Sequence, residues 1–279
     1  MTASPVNWEL SRRTLPLDRP QVMGILNVTP DSFSDGNRFF SLEAAVERAL
    51  ELEREGADII DIGGESTRPN APAVGVAEEL DRVLPVIEAL AGKLSVPISV
   101  DTYKAEVARA ACAAGAEIVN DVSGLGFDPA MAAAVARADA GLVVMHTRGR
   151  PDRMQAETRY DDLIAEVKDY LRDSLARAEA AGINPCRIVI DPGIGFAKSL
   201  QGNLELIRRL SELLTLGRPI LVGPSRKSFI GAVLGKGEDA RLFGTAAAVA
   251  VSIAHGASIV RVHDVAAMRD VAVMARALV

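Results

Sequence analysis

The stretch EGADIIDIGG (55–64) decides the fold of this chain. A glycine ends a helical segment, an apolar run containing Asp58 and Asp61 follows, and two more glycines end the run. The stretches AGAEIVNDVSG (114–124) and HGASIVRVHDV (255–265) repeat the arrangement. A helix-ending glycine followed by a near-continuous Val/Ile run is typical of a parallel sheet buried on both faces. We therefore interpret the three stretches as copies of one helix-to-strand unit.

Outward from these copies, one strand-then-helix pattern repeats eight times along the chain. Predicted strands cover 22–28, 58–64, 97–102, 117–124, 141–147, 187–193, 219–225 and 258–264. Predicted helices lie near 41–56, 76–93, 104–115, 128–138, 160–181, 200–216, 241–255 and 265–278. This pattern predicts an α/β fold, a single-domain (β/α)₈ TIM barrel over 21–279, and the alternative is an open doubly wound sheet. Residues 1–20 are expected to be an N-terminal extension, with a hairpin closing the bottom of the barrel as one possibility.

Composition excludes several classes of protein. The 279 residues are 49% hydrophobic and carry a net charge of −6, so no basic field favours nucleic acid or an anionic membrane. Cys112 and Cys186 lack metal-site spacing and are interpreted as reduced thiols. No apolar run reaches the roughly 18 residues of a membrane helix, and the N-terminus has no apolar signal core. We therefore predict a cytoplasmic protein without nucleic-acid or membrane partners.

Polar residues end every predicted strand. They are Asn27, Asp61, Asp101 with Thr102, Asn120 with Asp121, His146, Asp191, Ser225-Arg226-Lys227, and Arg261 with His263 and Asp264. A single buried polar residue is usually a cap or a satisfied structural group, because a buried charge costs several kcal/mol unless it is paired. Eight strands ending in this way predict an active site at the carboxyl face of the barrel, where such sites assemble.

The residue types predict two halves of a ligand. Asp101, Asn120 and Asp191 are acceptors that suit a planar, nitrogen-rich ring, since a carboxylate binds a pair of N–H donors bidentately. Lys227, Arg261 and His263 follow the last two strands, where barrels commonly bind phosphate. We therefore expect a heterocycle with a phosphate-bearing tail.

Other chemistries have weaker support. The chain has no G-x-S-x-G, H-E-x-x-H, paired C-x-x-C or G-x-G-x-x-G motif at a strand-to-helix turn. Lys227 could instead form a Schiff base, with Arg226 lowering its pKa. A metal site of protein ligands alone is poorly supported, although Asn27 could place a Mg²⁺ that also binds substrate phosphates.

Seven motifs now define a resemblance that runs in order from about Val22 to the C-terminus. They are NVTPDSFSDGN (27–37), DIGGESTRP (61–69), SVDTYK (99–104), VNDVSG (119–124), DPGIGFAKS (191–199), GPSRKSFIG (223–231) and RVHDV (261–265). Together they resemble the dihydropteroate synthase family. The resemblance implies a transferase of folate biosynthesis that joins 6-hydroxymethyl-7,8-dihydropterin pyrophosphate to p-aminobenzoate. It also implies Mg²⁺ as cofactor, competition by sulfonamides and a homodimer.

The resemblance also implies roles for individual residues. The implied pterin-binding set is Asp101, Asn120, Met145, Asp191, Phe196 and Lys227. The implied pyrophosphate set is Asn27, Arg68, Arg261 and His263, with Asn27 also at the metal. The implied p-aminobenzoate set is Phe33, Thr67, Pro69, Lys227 and Ser228, formed when loops 27–40 and 63–76 close. The implied mechanism is dissociative, with Asp35, Arg68, Lys227, Arg261 and His263 as its catalytic residues.

The chain departs from the family pattern at four positions. Asn37, Asn70 and Ala197 stand where the family usually has glycine, and Thr147 where methionine is common. Ser228 alone could be only a helix N-cap.

Two rival functions stay open: a pterin-dependent methyltransferase, and a catalytically silent pterin-binding paralogue. The phosphate-binding cations and the long first loop argue against the former. The retained Asp35, Arg68, Lys227 and Arg261 argue against the latter.

Overall fold

Eight parallel strands close into a barrel in this computed structural model, which describes residues 7–28, 38–66, 71, 73–151 and 153–279. The strands are β3 (Gln21–Asn27), β4 (Ile59–Gly63), β5 (Ile98–Asp101), β6 (Ile118–Asp121), β7 (Gly141–Met145), β8 (Ile188–Asp191), β9 (Ile220–Val222) and β10 (Ala257–Val262). Their order around the barrel is β10-β3-β4-β5-β6-β7-β8-β9. The predicted TIM barrel is confirmed, and the open doubly wound sheet is wrong.

Helices surround the barrel and pack on the outward faces of its strands. They are α1 (Arg38–Arg54), α2 (Val76–Leu90), α3 (Ala105–Ala114), α4 (Met131–Ala138), α5 (Leu163–Ala180), α6 (Leu200–Arg208), α7 (Ser228–Leu234), α8 (Leu242–Ala254) and α9 (Val265–Ala277). The predicted helix 200–216 is only partly right, because Arg209 leaves helical dihedrals and 210–216 form a 3₁₀ helix. No helix was predicted at 228–234, because a seven-residue segment containing glycine gives little helical signal.

A hairpin precedes the barrel and closes its amino end. Strands β1 (Asn7–Glu9) and β2 (Thr14–Pro16) pair antiparallel, and the Trp8 indole N–H donates to the Arg187 carbonyl at 2.8 Å. Trp8 is fully buried, and Leu10 packs beside it at the first residue of β7. A Cβ at Gly141 would lie 2.5 Å from Leu10 Cδ2, so only glycine admits the hairpin this closely. The division of the chain at residue 20 itself stays a prediction.

Side-chain alternation divides each barrel strand into two faces. In β4, Ile59 belongs to the cluster inside the barrel, whereas Ile60 and Ile62 pack against the helices. The inner cluster is completed by Trp8, Leu10, Met23, Ile118, Val143, Val189, Leu221 and Ile259. Within the described ranges, no helix has the length and apolarity needed to cross a membrane.

Candidate active site

Side chains alternate in direction along each strand, and this alternation brings several of the predicted site residues together. Asn120, Met145, Asp191 and Arg261 each lie two positions after an inward-facing apolar residue, so their side chains point into the same space at the carboxyl end. The register agrees, since Asp101 pairs with Asn120 across β5 and β6, and Met145 pairs with Asp191 across β7 and β8. The structure therefore places these side chains at one level of the barrel.

A network of charges links four strands at this level. Arg261 donates from Nε to Asp61 Oδ2 at 2.5 Å and from Nη2 to Asp101 Oδ2 at 2.7 Å. Asn120 Nδ2 donates to the same oxygen of Asp61 at 3.1 Å. Asp61 is fully buried, so one carboxylate orients both the arginine and the amide. Asp61 is one of the polar strand ends that predict the active site, but the resemblance assigns it no role, so its place in this network comes from the structure.

Burial changes how these groups titrate. Burial raises the pKa of Asp101 to about 7; Arg261 opposes this shift, and the negative charge of Asp61 adds to it. Burial would lower the pKa of Arg261, but Asp61 and Asp101 raise it above its usual value. Asp61 Oδ1 and Asp101 Oδ1 are buried without a hydrogen-bond partner among the described residues. Because an unpaired buried acceptor costs about 1–3 kcal/mol, both oxygens suit a ligand that brings its own donors.

Asp191 ends β8 beneath the same space. The Gly193 N–H donates to its Oδ1 at 2.7 Å, and its main-chain oxygen accepts from the His146 N–H at 3.0 Å. Burial raises the pKa of Asp191 above its usual value, and Lys227 opposes this shift. Gly193 has a φ of +72°, and a Cβ there would lie 2.0 Å from the His146 oxygen. The turn after β8 therefore requires glycine to hold Asp191 against β7.

Lys227 is the N-cap residue of α7, and its side chain lies beside Phe196. Its ammonium donates to the Ile194 carbonyl and lies 4.5 Å from the centre of the Phe196 ring. Burial lowers the pKa of Lys227 to about 8; Asp191 opposes this shift and Arg261 reinforces it. The expectation that Arg226 lowers this pKa is wrong, because the Arg226 guanidinium pairs with Asp264 at 2.5 and 3.0 Å instead.

An open cavity of about 350 Å³ lies above the buried acids. The predicted site residues that line it are Asn27, Phe196, Lys227, Ser228, Arg261 and His263. His263 is fixed by Ser225, whose Oγ lies 3.0 Å from its Nδ1 and accepts from its main-chain N–H at 3.2 Å. Ser228 is exposed at the first residue of α7, and the N-cap is Lys227, so the alternative that Ser228 only caps this helix is wrong.

Five predicted site residues lie outside the described part of the chain: Phe33, Asp35, Thr67, Arg68 and Pro69. The departures Asn37 and Asn70 lie there as well. Their roles, and the closure of loops 27–40 and 63–76, stay predictions. Ala197 is described and has a φ of +51°, in the left-handed region where glycine is favoured. This backbone conformation is the physical reason to expect glycine at this position.

Few protein groups in the described part of the site could bind Mg²⁺. Among the described residues, no three or more His, Cys, Asp or Glu side chains form a group that could hold a metal ion. Asn27 is half-buried and lines the cavity beside His263, so its amide oxygen can supply one ligand. Mg²⁺ usually keeps several waters and is held by one or two protein oxygens together with substrate phosphates. The described residues therefore fit a metal that is bound together with its substrate.

Comparisons with known proteins test the family resemblance. The family described as "Pterin binding enzyme" matches residues 23–263. The dihydropteroate synthase of Synechocystis sp. is 51% identical over 261 residues, 93% of this chain and 90% of the relative. That of Escherichia coli K12 is 50% identical over 254 residues, 90% of this chain and 89% of the relative.

Solved structures give the same result. The Xanthomonas albilineans dihydropteroate synthase with 4-aminobenzoic acid is 47% identical, with a TM-score of 0.92 over 99% of this chain and 98% of that one. The same enzyme in complex with 7,8-dihydropteroate is 46% identical, with a TM-score of 0.89 over 98% of each chain. The Yersinia pestis enzyme with a sulfonamide drug complex is 43% identical, with a TM-score of 0.92 over 98% of each chain. The chain belongs to the dihydropteroate synthases, transferases within the pterin-binding enzyme family.

Proposed function

We propose that this chain joins 6-hydroxymethyl-7,8-dihydropterin pyrophosphate to p-aminobenzoate, giving 7,8-dihydropteroate and pyrophosphate for folate biosynthesis. One observation carries the proposal: Arg261, which binds the buried acceptor Asp101, also lines a cavity together with Lys227 and His263, and Asn120 and Asp191 are buried at the same end of the barrel. The acceptors match the donor-rich edge of a pterin, and the cations match its pyrophosphate tail. The relatives solved with 4-aminobenzoic acid and 7,8-dihydropteroate support the choice of substrates.

The pterin ring would lie in the depth of the barrel. Asp191 would accept from the 2-amino group and the neighbouring ring N–H, as a carboxylate does from any paired donors. Asp101 Oδ1, which has no hydrogen-bond partner among the described residues, and the amide of Asn120 would meet the remaining ring edge. Met145 and Phe196, which share one buried apolar cluster, would contact its two faces.

The pyrophosphate would lie above the ring, at the cations. A guanidinium has five N–H donors, and Arg261 uses two of them on Asp61 and Asp101 while still lining the cavity. It can therefore hold the acids and meet a phosphate oxygen together. His263, oriented by Ser225, would donate a second hydrogen bond, and Arg68 is proposed as a third donor. Mg²⁺, when bound at Asn27 with the phosphates, would supply charge neutralisation to the leaving group.

The proposed chemistry is dissociative. The C–O bond to pyrophosphate breaks first, the electron pair leaves with the phosphate oxygen, and a pterin-methylene cation remains. The p-aminobenzoate nitrogen then forms the new C–N bond and releases a proton to water. Preorganised charges aimed at the leaving group account for much of the rate in such reactions. Asp35 is proposed to stabilise the cation.

The second substrate would bind nearer the mouth of the barrel. Lys227 and Ser228 line the cavity there, and Ser228 is proposed to meet the carboxylate of p-aminobenzoate. Phe33, Thr67 and Pro69 are proposed to complete the pocket.

Because a sulfonamide would compete for this pocket, it should inhibit by raising the KM for p-aminobenzoate without lowering kcat. Inhibition that lowers kcat alone would contradict this placement.

Release of pyrophosphate tests the function directly. Purified protein, Mg²⁺, dihydropterin pyrophosphate and p-aminobenzoate should release pyrophosphate and form dihydropteroate in equal amounts. The Asp191→Asn variant is the matched control, since it removes one charge from the pterin contacts and should lose most of the activity. A folded wild-type sample that binds pterin but releases no pyrophosphate would instead be a silent pterin-binding protein.

We also propose that the active form is a homodimer in the cytoplasm, as the family resemblance implies. Large apolar side chains are exposed on the packed pair α8 and α9, and Phe243 is the most exposed of those described, at 81%. A second copy covering this face would remove them from water. Light scattering of the wild-type protein should give twice the mass of a monomer. The Phe243→Asp variant should have the mass of a single monomer. A wild-type monomer at micromolar concentration would contradict the dimer.

A further inference from the structure

A second lysine, Lys198, is buried close to the proposed pterin site. It follows Phe196 and Ala197 in the stretch DPGIGFAKS (191–199), and it is 4% exposed. Unlike Lys227, it is not among the residues that line the cavity. A buried amine is costly unless it is hydrogen-bonded, so its partners should explain why it is there.

The Lys198 amine bridges two neighbouring segments. Its Nζ lies 2.9 Å from His146 Nδ1 and donates to the Phe196 carbonyl at 2.8 Å. Burial lowers the pKa of His146 to about 2, with the charges of Lys198 and Arg148 acting in the same direction. The imidazole is therefore neutral, and its Nδ1 accepts from Lys198 while Nε2 carries the proton.

Two acceptors meet the Lys198 amine among the described residues, His146 Nδ1 and the Phe196 carbonyl. Burial lowers the pKa of Lys198 well below its usual value; Asp191 opposes this shift, and Lys227 adds to it. The two hydrogen bonds therefore compensate part of the cost of burying the amine.

Both hydrogen-bond partners of Lys198 lie next to, or belong to, Met145 and Phe196, the two side chains proposed to contact the faces of the pterin ring; we call the space between these two side chains the pterin slot. His146 directly follows Met145, and the carbonyl that Lys198 binds is that of Phe196 itself. The His146 ring packs edge-on against Tyr170 with ring centres 4.8 Å apart, so it is held from its other side. The Tyr160 hydroxyl donates to the Ala197 carbonyl at 2.9 Å and holds the second segment. Lys198 is therefore the link between two braced segments.

We propose that Lys198 is a positioning residue that sets the distance between Met145 and Phe196, and through it the affinity for the pterin ring. The inference rests on the proposed function, because it needs a planar ring between these two side chains. Lys198 would touch neither substrate. Its loss would let the segment at Phe196 separate from β7, and a wider slot would lose contact with a flat ring.

The test is Lys198→Met, which keeps an unbranched chain of similar length and removes both hydrogen bonds. We expect the Kd for 6-hydroxymethylpterin, measured by calorimetry without the second substrate, to rise about tenfold, since two hydrogen bonds are lost and part of that loss is recovered by repacking. The KM for p-aminobenzoate should stay within about twofold, because its proposed contacts lie nearer the mouth. Lys93→Met, at an exposed lysine, is the matched control and should change neither constant.

A folded Lys198→Met protein with unchanged pterin affinity would overturn the proposal. A parallel rise in both constants would overturn it as well, since that is what a general loss of structure produces. If Lys198→Met does not fold, His146→Phe decides by the same criterion, because it removes one acceptor and keeps a ring against Tyr170. Wild-type protein that binds no pterin would refute the proposed function, whereas an unaffected variant alone would refute only the role of Lys198.

Discussion

The two ends of this barrel are built from the same strands but differ in how completely their groups are paired. Strand β4 shows this within four residues. Asp58, just before the strand at the amino end, accepts from Arg19, Arg269 and the Val22 N–H, at 2.7 to 3.2 Å. Asp61, near the carboxyl end, is more deeply buried and keeps one oxygen without a partner among the described residues.

The difference separates stability from binding. The amino end is closed by Trp8 and Leu10, which complete an apolar cluster that needs nothing from outside the chain. The carboxyl end holds acids whose burial is costly and only partly compensated, and a ligand with suitable donors would remove that cost. Substitutions at the amino end should therefore change the free energy of unfolding, and substitutions at the carboxyl end should change kinetics.

Trp8→Ala should have the largest effect on stability. Truncating a fully buried tryptophan is expected to lower the free energy of unfolding by about 3–5 kcal/mol. Urea denaturation measures this, and the KM values of the protein that remains folded should match wild type. If the KM for the pterin substrate changes severalfold, the two ends are not independent and the comparison fails.

Arg261→Ala should have the largest effect on turnover. It removes the proposed donor to the leaving group and leaves Asp61 and Asp101 without their cation, so kcat should fall at least about a hundredfold, near 2.7 kcal/mol. Arg269→Ala, which removes one of the arginines paired with Asp58, is the matched control and should leave kcat unchanged. Normal turnover in a folded Arg261→Ala protein would mean that the pyrophosphate binds elsewhere.

The pair Asp61→Asn and Asp58→Asn sharpens the comparison on a single strand. Asp61→Asn weakens the contacts that orient Arg261 and Asn120, and charged hydrogen bonds are worth roughly 1.5 kcal/mol or more, so kcat/KM for the pterin substrate should fall about tenfold. Asp58→Asn should lower the unfolding free energy and leave kcat/KM unchanged. Steady-state kinetics and urea denaturation on both variants distinguish the outcomes; equal kinetic losses would contradict the division.

The smallest expected effect is a pH dependence at Lys227. With a pKa near 8, this group is a cation below that pH, so kcat/KM for the pterin substrate should decline as pH rises through about 8.

The same group should make stability depend on pH. The pKa of Lys227 is lower in the folded state than in the unfolded state, so the folded state releases the proton first and the free energy of unfolding should rise with pH above about 8. Lys227→Met should remove that rise, as urea denaturation at pH 7.5 and 9.5 can show. If the free energy of unfolding of Lys227→Met still rises between these pH values, another group causes the rise.

Much of the architecture could be predicted because it depends on local pattern. The eight apolar runs, the glycines that end helices and the polar residue at each strand end are all short-range signals, and the structure places them as expected. The helix 228–234 was missed because its local signal is weak, and the helix 200–216 was drawn too long. The role of Asp61 was missed because its partner Arg261 is 200 residues away.

By itself, the sequence determined which residues face inward at the carboxyl end, since the two-residue period of a strand sets the direction of every side chain. It also determined the family, because seven motifs occur in one order. Only the tertiary structure decided the pairing: Arg261 with Asp61 and Asp101, Arg226 with Asp264 rather than beside Lys227, and Lys198 with His146. The physical reason is that each pair joins segments far apart in the chain, which only the closed barrel brings together: β10 lies next to β3 and near β4, β9 lies next to β10, and β7 lies next to β8.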